Sequence, residues 1–156
     1  MTASHGQPTR TPDISRVDSS PPTIGGRLLA GVLGGLGGGV VFGALMFMMG
    51  MLPMIASLVG STSVAVGFIV HLLISVLIGL ALTLLGAGLL DGTLRSALLG
   101  VVYGALWWVL GPLLLMPAAL RMPVLTVDGS SLASLMGHVI YGLILGLIAA
   151  GVLRRR

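Results

Sequence analysis

Two histidines lie inside long apolar stretches, and no other residues of this sequence are better placed for chemistry: His71 within 64–90 and His138 within 132–153. At four-residue steps His71 is followed by Ser75 and Gly79, and His138 by Gly142, Gly146 and Ala150, so each imidazole shares a helix face with small residues. Such a face packs against other helices, and an ionisable group within an apolar span belongs in a bundle interior. Counted from Val64 and Leu132, both histidines sit about 10 Å deep at ~1.5 Å per residue. Equal depth makes one shared polar site geometrically available. Imidazole there supports three roles: interhelical hydrogen bonding, metal or haem ligation, and proton or solute handling.

The remaining soft side chains are methionines. Met46, Met48, Met49, Met51 and Met54 end the first apolar stretch, Met116 and Met122 leave the third, and Met136 precedes His138. Thioether with imidazole suits Cu(I) better than magnesium or calcium, and Met46, Met48, Met49 and Met136 are the candidate contributors beside His71 and His138. Methionine is equally a flexible gap-filler of packed interiors. A bis-histidine haem between facing helices is a further option, although a glycine-lined seam leaves it little room. No cofactor is predicted, with copper and haem as the alternatives. The absence of cysteine removes thiolate nucleophiles and disulfides. Asp91 and Asp128 fall at opposite ends of the expected spans, away from the histidine depth, so no Ser-His-Asp set assembles. The glycine run from Gly31 to Gly39 lacks the Lys-Ser/Thr of a phosphate loop. The chain is not expected to be an enzyme.

The elements that must position these residues follow from composition. Hydrophobic residues reach 56% and charged ones only 8%, against about 25% charged in soluble domains. No formal charge lies between Arg27 and Asp91, between Arg95 and Arg121, or between Asp128 and Arg154. Since ~20 residues span the hydrocarbon core, four transmembrane helices are predicted at about 28–50, 64–90, 96–118 and 132–153. The connector after the first span has room for a short re-entrant or interfacial helix. Thr93 is placed to cap the third span, Pro112 to kink it by freeing the Trp108 carbonyl, and Ser130 or Ser131 to cap the fourth. Trp107 and Trp108 lie mid-span and read as packing residues near that kink. Residues 1–26, rich in Pro, Ser and Thr, read as a disordered tail, and 27–156 as the membrane domain. Arg10, Arg16, Arg27, Arg95, Arg154, Arg155 and Arg156 fall on one side and Arg121 on the other, which predicts a cell (inner) membrane protein with cytoplasmic termini. Cations spread over span ends do not form the basic stripe of a nucleic-acid reader.

A repeat runs through the spans. Gly31-Val32 with Gly35 matches Gly100-Val101 with Gly104, and His71 with Gly79 and Leu80 matches His138 with Gly146 and Leu147. The chain therefore reads as two tandem helical hairpins forming an all-α bundle. Gly31, Gly35, Gly39 and Gly43 strip one face of the first span to bare backbone. That face is expected to take a neighbouring helix of the same chain, with a homo-oligomer seam as the alternative. The glycine-rich first span ending in Leu52-Pro53-Met54, the Gly100-x-x-Tyr103-Gly104 and Pro117 of the third, and Gly137-His138-x-x-Tyr141-Gly142 in the fourth together resemble a domain-of-unknown-function family of small four-span prokaryotic membrane proteins. More distantly they resemble the YagU-like inner-membrane family associated with acid resistance. The nearer resemblance implies location without an activity; the distant one implies that His71 and His138 titrate. The reading taken is a structural or interaction component of the membrane with a buried histidine pair. Soft-metal or haem binding and proton or small-solute permeation are its alternatives.

Overall fold

The computed structural model describes residues 22–155. Most of the expected tail, residues 1–21, lies outside the described residues, as does Arg156. The described chain is helical: α1 (Ile24–Met48), α2 (Leu52–Ser57), α3 (Val64–Gly86), α4 (Thr93–Trp108), α5 (Met116–Ala119) and α6 (Gly129–Leu153). A 3₁₀ turn, Ala87–Leu89, extends α3, and a π-helical segment, Val109–Leu115, joins α4 to α5. Four continuous stretches of 25, 26, 27 and 25 residues, Ile24–Met48, Val64–Leu89, Thr93–Ala119 and Gly129–Leu153, are long and apolar enough to cross a membrane.

Helix ends follow from local chemistry and move several expected boundaries. Helix α1 begins four residues early because Thr23 caps it, its Oγ1 accepting from Gly26 N–H at 3.2 Å. Thr93 does not cap α4; it is the first residue of that helix behind Gly92, and its hydroxyl instead accepts from Arg154 Nη1 at 3.1 Å. Helix α6 starts at Gly129 because Asp128, rather than a serine, is the cap: Asp128 Oδ1 accepts from Ser131 N–H and Ser131 Oγ accepts from Asp128 N–H, each at 2.8 Å. At the other ends, Gly50 (φ 68°) closes α1 with Met51 N–H donating to Met46 O, and Gly60 (φ 72°) closes α2 with Ser61 N–H donating to Ala56 O. The same closure recurs after α5, where Met122 N–H donates to Pro117 O, but the left-handed position is held by Arg121 (φ 56°).

The order of packing is α3–α1–α6–α4: α1 packs on both α3 and α6, and α6 packs on α4. Each hairpin closes backbone against backbone. A Cβ on Gly35 would come within 2.6 Å of Ser75 O, and one on Gly31 within 2.8 Å of Leu80 Cα. In the second hairpin, Cβ atoms at Gly100 and Gly104 would collide with the carbonyls of Gly142 and His138. The face carrying Gly31, Gly35, Gly39 and Gly43 is thus filled from within the chain, by α3. Gly34 and Gly38 present a second face, to Leu145 and Tyr141 of α6. Large apolar side chains point the other way, with Leu77 66% and Leu85 89% exposed. This inside-small, outside-large pattern is how helices associate when lipid removes the hydrophobic drive between them. The two hairpins differ in register by one turn: Gly31 sits by Gly79 and Thr83, whereas its counterpart Gly100 sits by Gly142 and Gly146.

The short helix α2 fills the connector and folds back on α3, with Leu52 and Ala56 buried and the Leu52 carbonyl against Gly67. Replacing Gly142 by Ala is expected to cost on the order of 1–3 kcal/mol, since backbone must move to admit the methyl. Gly25→Ala, which meets open space, should be neutral or slightly stabilising. Reversible unfolding in detergent distinguishes the two. Arg121→Gly should stabilise by about 0.5–1 kcal/mol in the same assay, because it relieves a left-handed non-glycine residue.

Candidate ligand cavity and its two imidazoles

Because α3 and α4 stand at the two ends of the packing order, the space between them is bridged rather than filled. Tyr103 OH of α4 donates to Ile78 O of α3 at 2.9 Å. Toward the α2 end the helices leave a cavity of about 600 Å³ that both His71 and His138 line. Two prolines shape its wall. Pro112 cannot donate to Trp108 O, and the helix widens into the π segment, where bonds reach five residues back, as from Met116 N–H to Gly111 O. Pro117 likewise leaves Leu113 O without its helical donor, and Leu125 N–H of the following loop takes it at 2.7 Å. The expected kink is therefore a π segment, and the loop it captures forms one side of the cavity.

His71 is buried, and its Nε2 lies 3.0 Å from Gly39 O, reachable because α1 carries no side chain there. A carbonyl only accepts, so Nε2 bears the hydrogen and Nδ1 is left with a lone pair. His138 is the mirror case: Nδ1 lies 2.8 Å from Ser134 O and 3.3 Å from Ser134 Oγ, so Nδ1 bears the hydrogen and Nε2 is bare. Neither remaining nitrogen has a hydrogen bond among the described residues. Phe42 meets both rings edge-on, 5.2 Å from His71 and 4.7 Å from His138 between centroids. It fits because Gly137 offers α6 backbone against its ring. The two imidazoles thus share one cavity and one aromatic neighbour.

Four hydroxyls around them are already committed as donors. Ser75 Oγ donates to His71 O at 2.8 Å, Tyr141 OH to Ser75 O at 2.6 Å, Ser131 Oγ to Asp128 O at 2.8 Å and Ser130 Oγ to Asp128 Oδ1 at 2.8 Å. Trp108 Nε1–H donates to Ser131 O at 2.7 Å, pinning α4 to the start of α6, while the Trp107 indole N–H is buried with no acceptor among the described residues. Asp128 lines the cavity too, at the start of α6 and ten residues before His138, and its hydrogen bonds are with Ser130 and Ser131, none with an imidazole.

The methionines divide. Of the four candidates, only Met46 lines the cavity; Met48 and Met136 are exposed and Met49 faces elsewhere. Helix α2 and the Pro117 turn bring Met51, Met54, Met116 and Met122 to the cavity instead. Periodicity along one helix could not show this, since the chain reverses at Gly50. Phe42 was missed as a neighbour of both histidines; its one signal was its position in the glycine-rich face. Ser75, Gly79, Gly142 and Gly146 lie in the helix seams, with Ser75 lining the cavity as well. Among the described residues no three His, Asp or Glu side chains converge as a metal site. Compared with protein families, curated proteins and solved structures, the chain matches none.

Bonding to Ser131 N–H and then to the Ser130 hydroxyl holds the Asp128 carboxyl below the usual carboxylate range. A depressed native value means the cap is at full strength above the unfolded value, near pH 4, and is lost as pH falls through the lower native one. Amide exchange at Ser131 should therefore stay protected to below pH 4 in the native chain. In Asp128→Asn that acid-side change should vanish; an unchanged acid transition in the variant would count against this role for the carboxylate.

Proposed function

We propose that this chain is a multi-pass protein of the prokaryotic cell membrane that takes a small ligand from the outer side into the cavity between α3 and α4, without catalysis. The observation carrying this reading is the pair of imidazoles, both lining one roomy cavity, each with a nitrogen lone pair that has no partner among the described residues. A cavity of several hundred Å³, largely apolar with a few convergent polar groups, is the usual form of a small-ligand site between helices.

The arginines supply orientation. Arg27 donates from Nε to Pro22 O and from Nη1 to Leu84 O, at 3.2 and 3.3 Å, and so sits at the end of the bundle shared with Arg95 and Arg154. Arg121 belongs to the cavity end. By the positive-inside rule this distribution supports termini in the cytoplasm and a cavity mouth outside. Permeation is supported less well: the Tyr103–Ile78 bridge and the glycine seams favour a closed floor over a conduit. Haem is also less favoured, because Phe42 occupies the ground against both rings that a macrocycle would need.

The chain has no cysteine, so single cysteines report cleanly. In intact cells a membrane-impermeant thiosulfonate should modify Thr126→Cys at the cavity mouth and Ser134→Cys within it, and reach Gly88→Cys only after permeabilisation. Labelling of Gly88→Cys in intact cells would overturn the orientation. An unreactive Ser134→Cys beside a reactive Thr126→Cys would overturn the open cavity.

A further inference from the structure

We propose that the ligand of this cavity is a soft monovalent cation, Cu(I), held by cavity methionines together with the unprotonated nitrogens of His71 and His138. The proposal rests on the cavity being a ligand site open to the outer side, and it adds what that site selects.

The argument is one of donor chemistry. The hydroxyls of Ser75, Ser130, Ser131 and Tyr141 all donate to acceptors of the protein itself. What remains for a ligand is chiefly a set of soft Lewis bases: His71 Nδ1, His138 Nε2 and the thioethers of Met46, Met51, Met54, Met116 and Met122. Beside them, Asp128 Oδ2, the Thr126 and Ser134 hydroxyl hydrogens and the Trp107 indole N–H are also without a hydrogen bond among the described residues. Those five methionines come from two remote stretches of chain, the reversal around Gly50 and the turn around Pro117, which have no other reason to share residue type. Large apolar gap-fillers such as leucine are plentiful in this sequence, yet five of its nine methionines line this one cavity.

Charge and hardness select the ion. Hard cations such as magnesium and calcium need oxygen ligands, chiefly carboxylates. Asp128, which takes the Ser130 and Ser131 hydrogen bonds on Oδ1, is a single carboxylate, and no three His, Asp or Glu side chains converge among the described residues. Thioether and imidazole are soft or borderline donors, the set that favours Cu(I). They are also neutral, so the bound site carries a single positive charge, and burial of a monovalent ion costs less than that of a divalent one. The methionines of α2 and of the 116–122 segment stand at the end of the bundle where the ion would enter, with the imidazoles deeper, beside Phe42.

The test uses the whole chain purified in detergent. Cu(I) is supplied under reducing conditions against a chromophoric Cu(I) chelator, with Ag(I) as a redox-inert stand-in. Stoichiometric binding is expected, unaffected by excess Mg(II) or Zn(II), with both sulfur and nitrogen neighbours in the X-ray absorption spectrum. A Met51→Leu/Met54→Leu/Met122→Leu variant keeps side-chain volume, so it should fold, and is expected to bind at least tenfold more weakly. His138→Gln should weaken binding similarly. Met48→Leu/Met136→Leu, which alters thioethers away from the cavity, should bind as the parent does. Equal loss in the Met48/Met136 variant, or no loss in the cavity variant, would overturn the proposal in favour of surface thioethers. If neither ion binds while Ser134→Cys is still modified from outside, the cation is wrong and the cavity reading stands. If Ser134→Cys is also unreachable, both fall.

Discussion

Close contact between glycine backbones is the constraint on which the rest of this structure depends. Helices as apolar as these gain little from burying leucine against leucine when lipid is the alternative. Dispersion and hydrogen bonding must hold them, and both need short distances. Glycine supplies the distance at Gly31, Gly35 and Gly79 in the first hairpin and at Gly100, Gly104, Gly142 and Gly146 in the second. The usual penalty of glycine in a helix is muted in an environment with no water to compete for the backbone.

The cavity is a consequence of the same seams. They fix α1 to α3, α6 to α4 and α1 to α6, and a row of four with three seams leaves its two end helices facing each other without a fourth. Tyr103 reaches across that gap by its hydroxyl, and elsewhere the gap stays open. Pro112 then turns the wall into a π segment and Pro117 leaves Leu113 O to the loop, so one covalent peculiarity, the missing proline N–H, shapes both that helix and the segment beside it. Polar groups in the helix seams obey a stricter rule: away from water, a donor needs an acceptor in the protein. A glycine carbonyl serves that need for His71, one-turn-back carbonyls serve it for His138 and Ser75, and the Ser75 carbonyl of α3 serves it for Tyr141, so that both imidazoles keep a lone pair while the Trp107 indole N–H is left without an acceptor among the described residues.

Much of this was legible in the sequence, and for a physical reason. Span number and approximate limits are written in uninterrupted stretches of apolar residues, because solvation by lipid is a local property of each residue. The hairpin pairing was visible in four-residue glycine spacing, and the placement of His71 and His138 on small-residue faces was visible in the same way. Helix starts were less legible, since whether Thr23, Thr93 or Asp128 caps depends on which backbone N–H its oxygen reaches.

What only the tertiary structure decided concerns partners distant in the chain. No periodicity tells that Phe42 touches both imidazoles, that Gly39 O takes the hydrogen of His71, or that the chain reverses at Gly50 so that Met51 and Met54, rather than Met48 and Met49, line the cavity. Nor could the sequence give the one-turn difference in register between the hairpins, because two glycine ladders of the same pitch fit at more than one register. A span is fixed by each residue's own transfer from water to lipid, whereas a site is fixed by which backbone comes within hydrogen-bonding reach of which side chain.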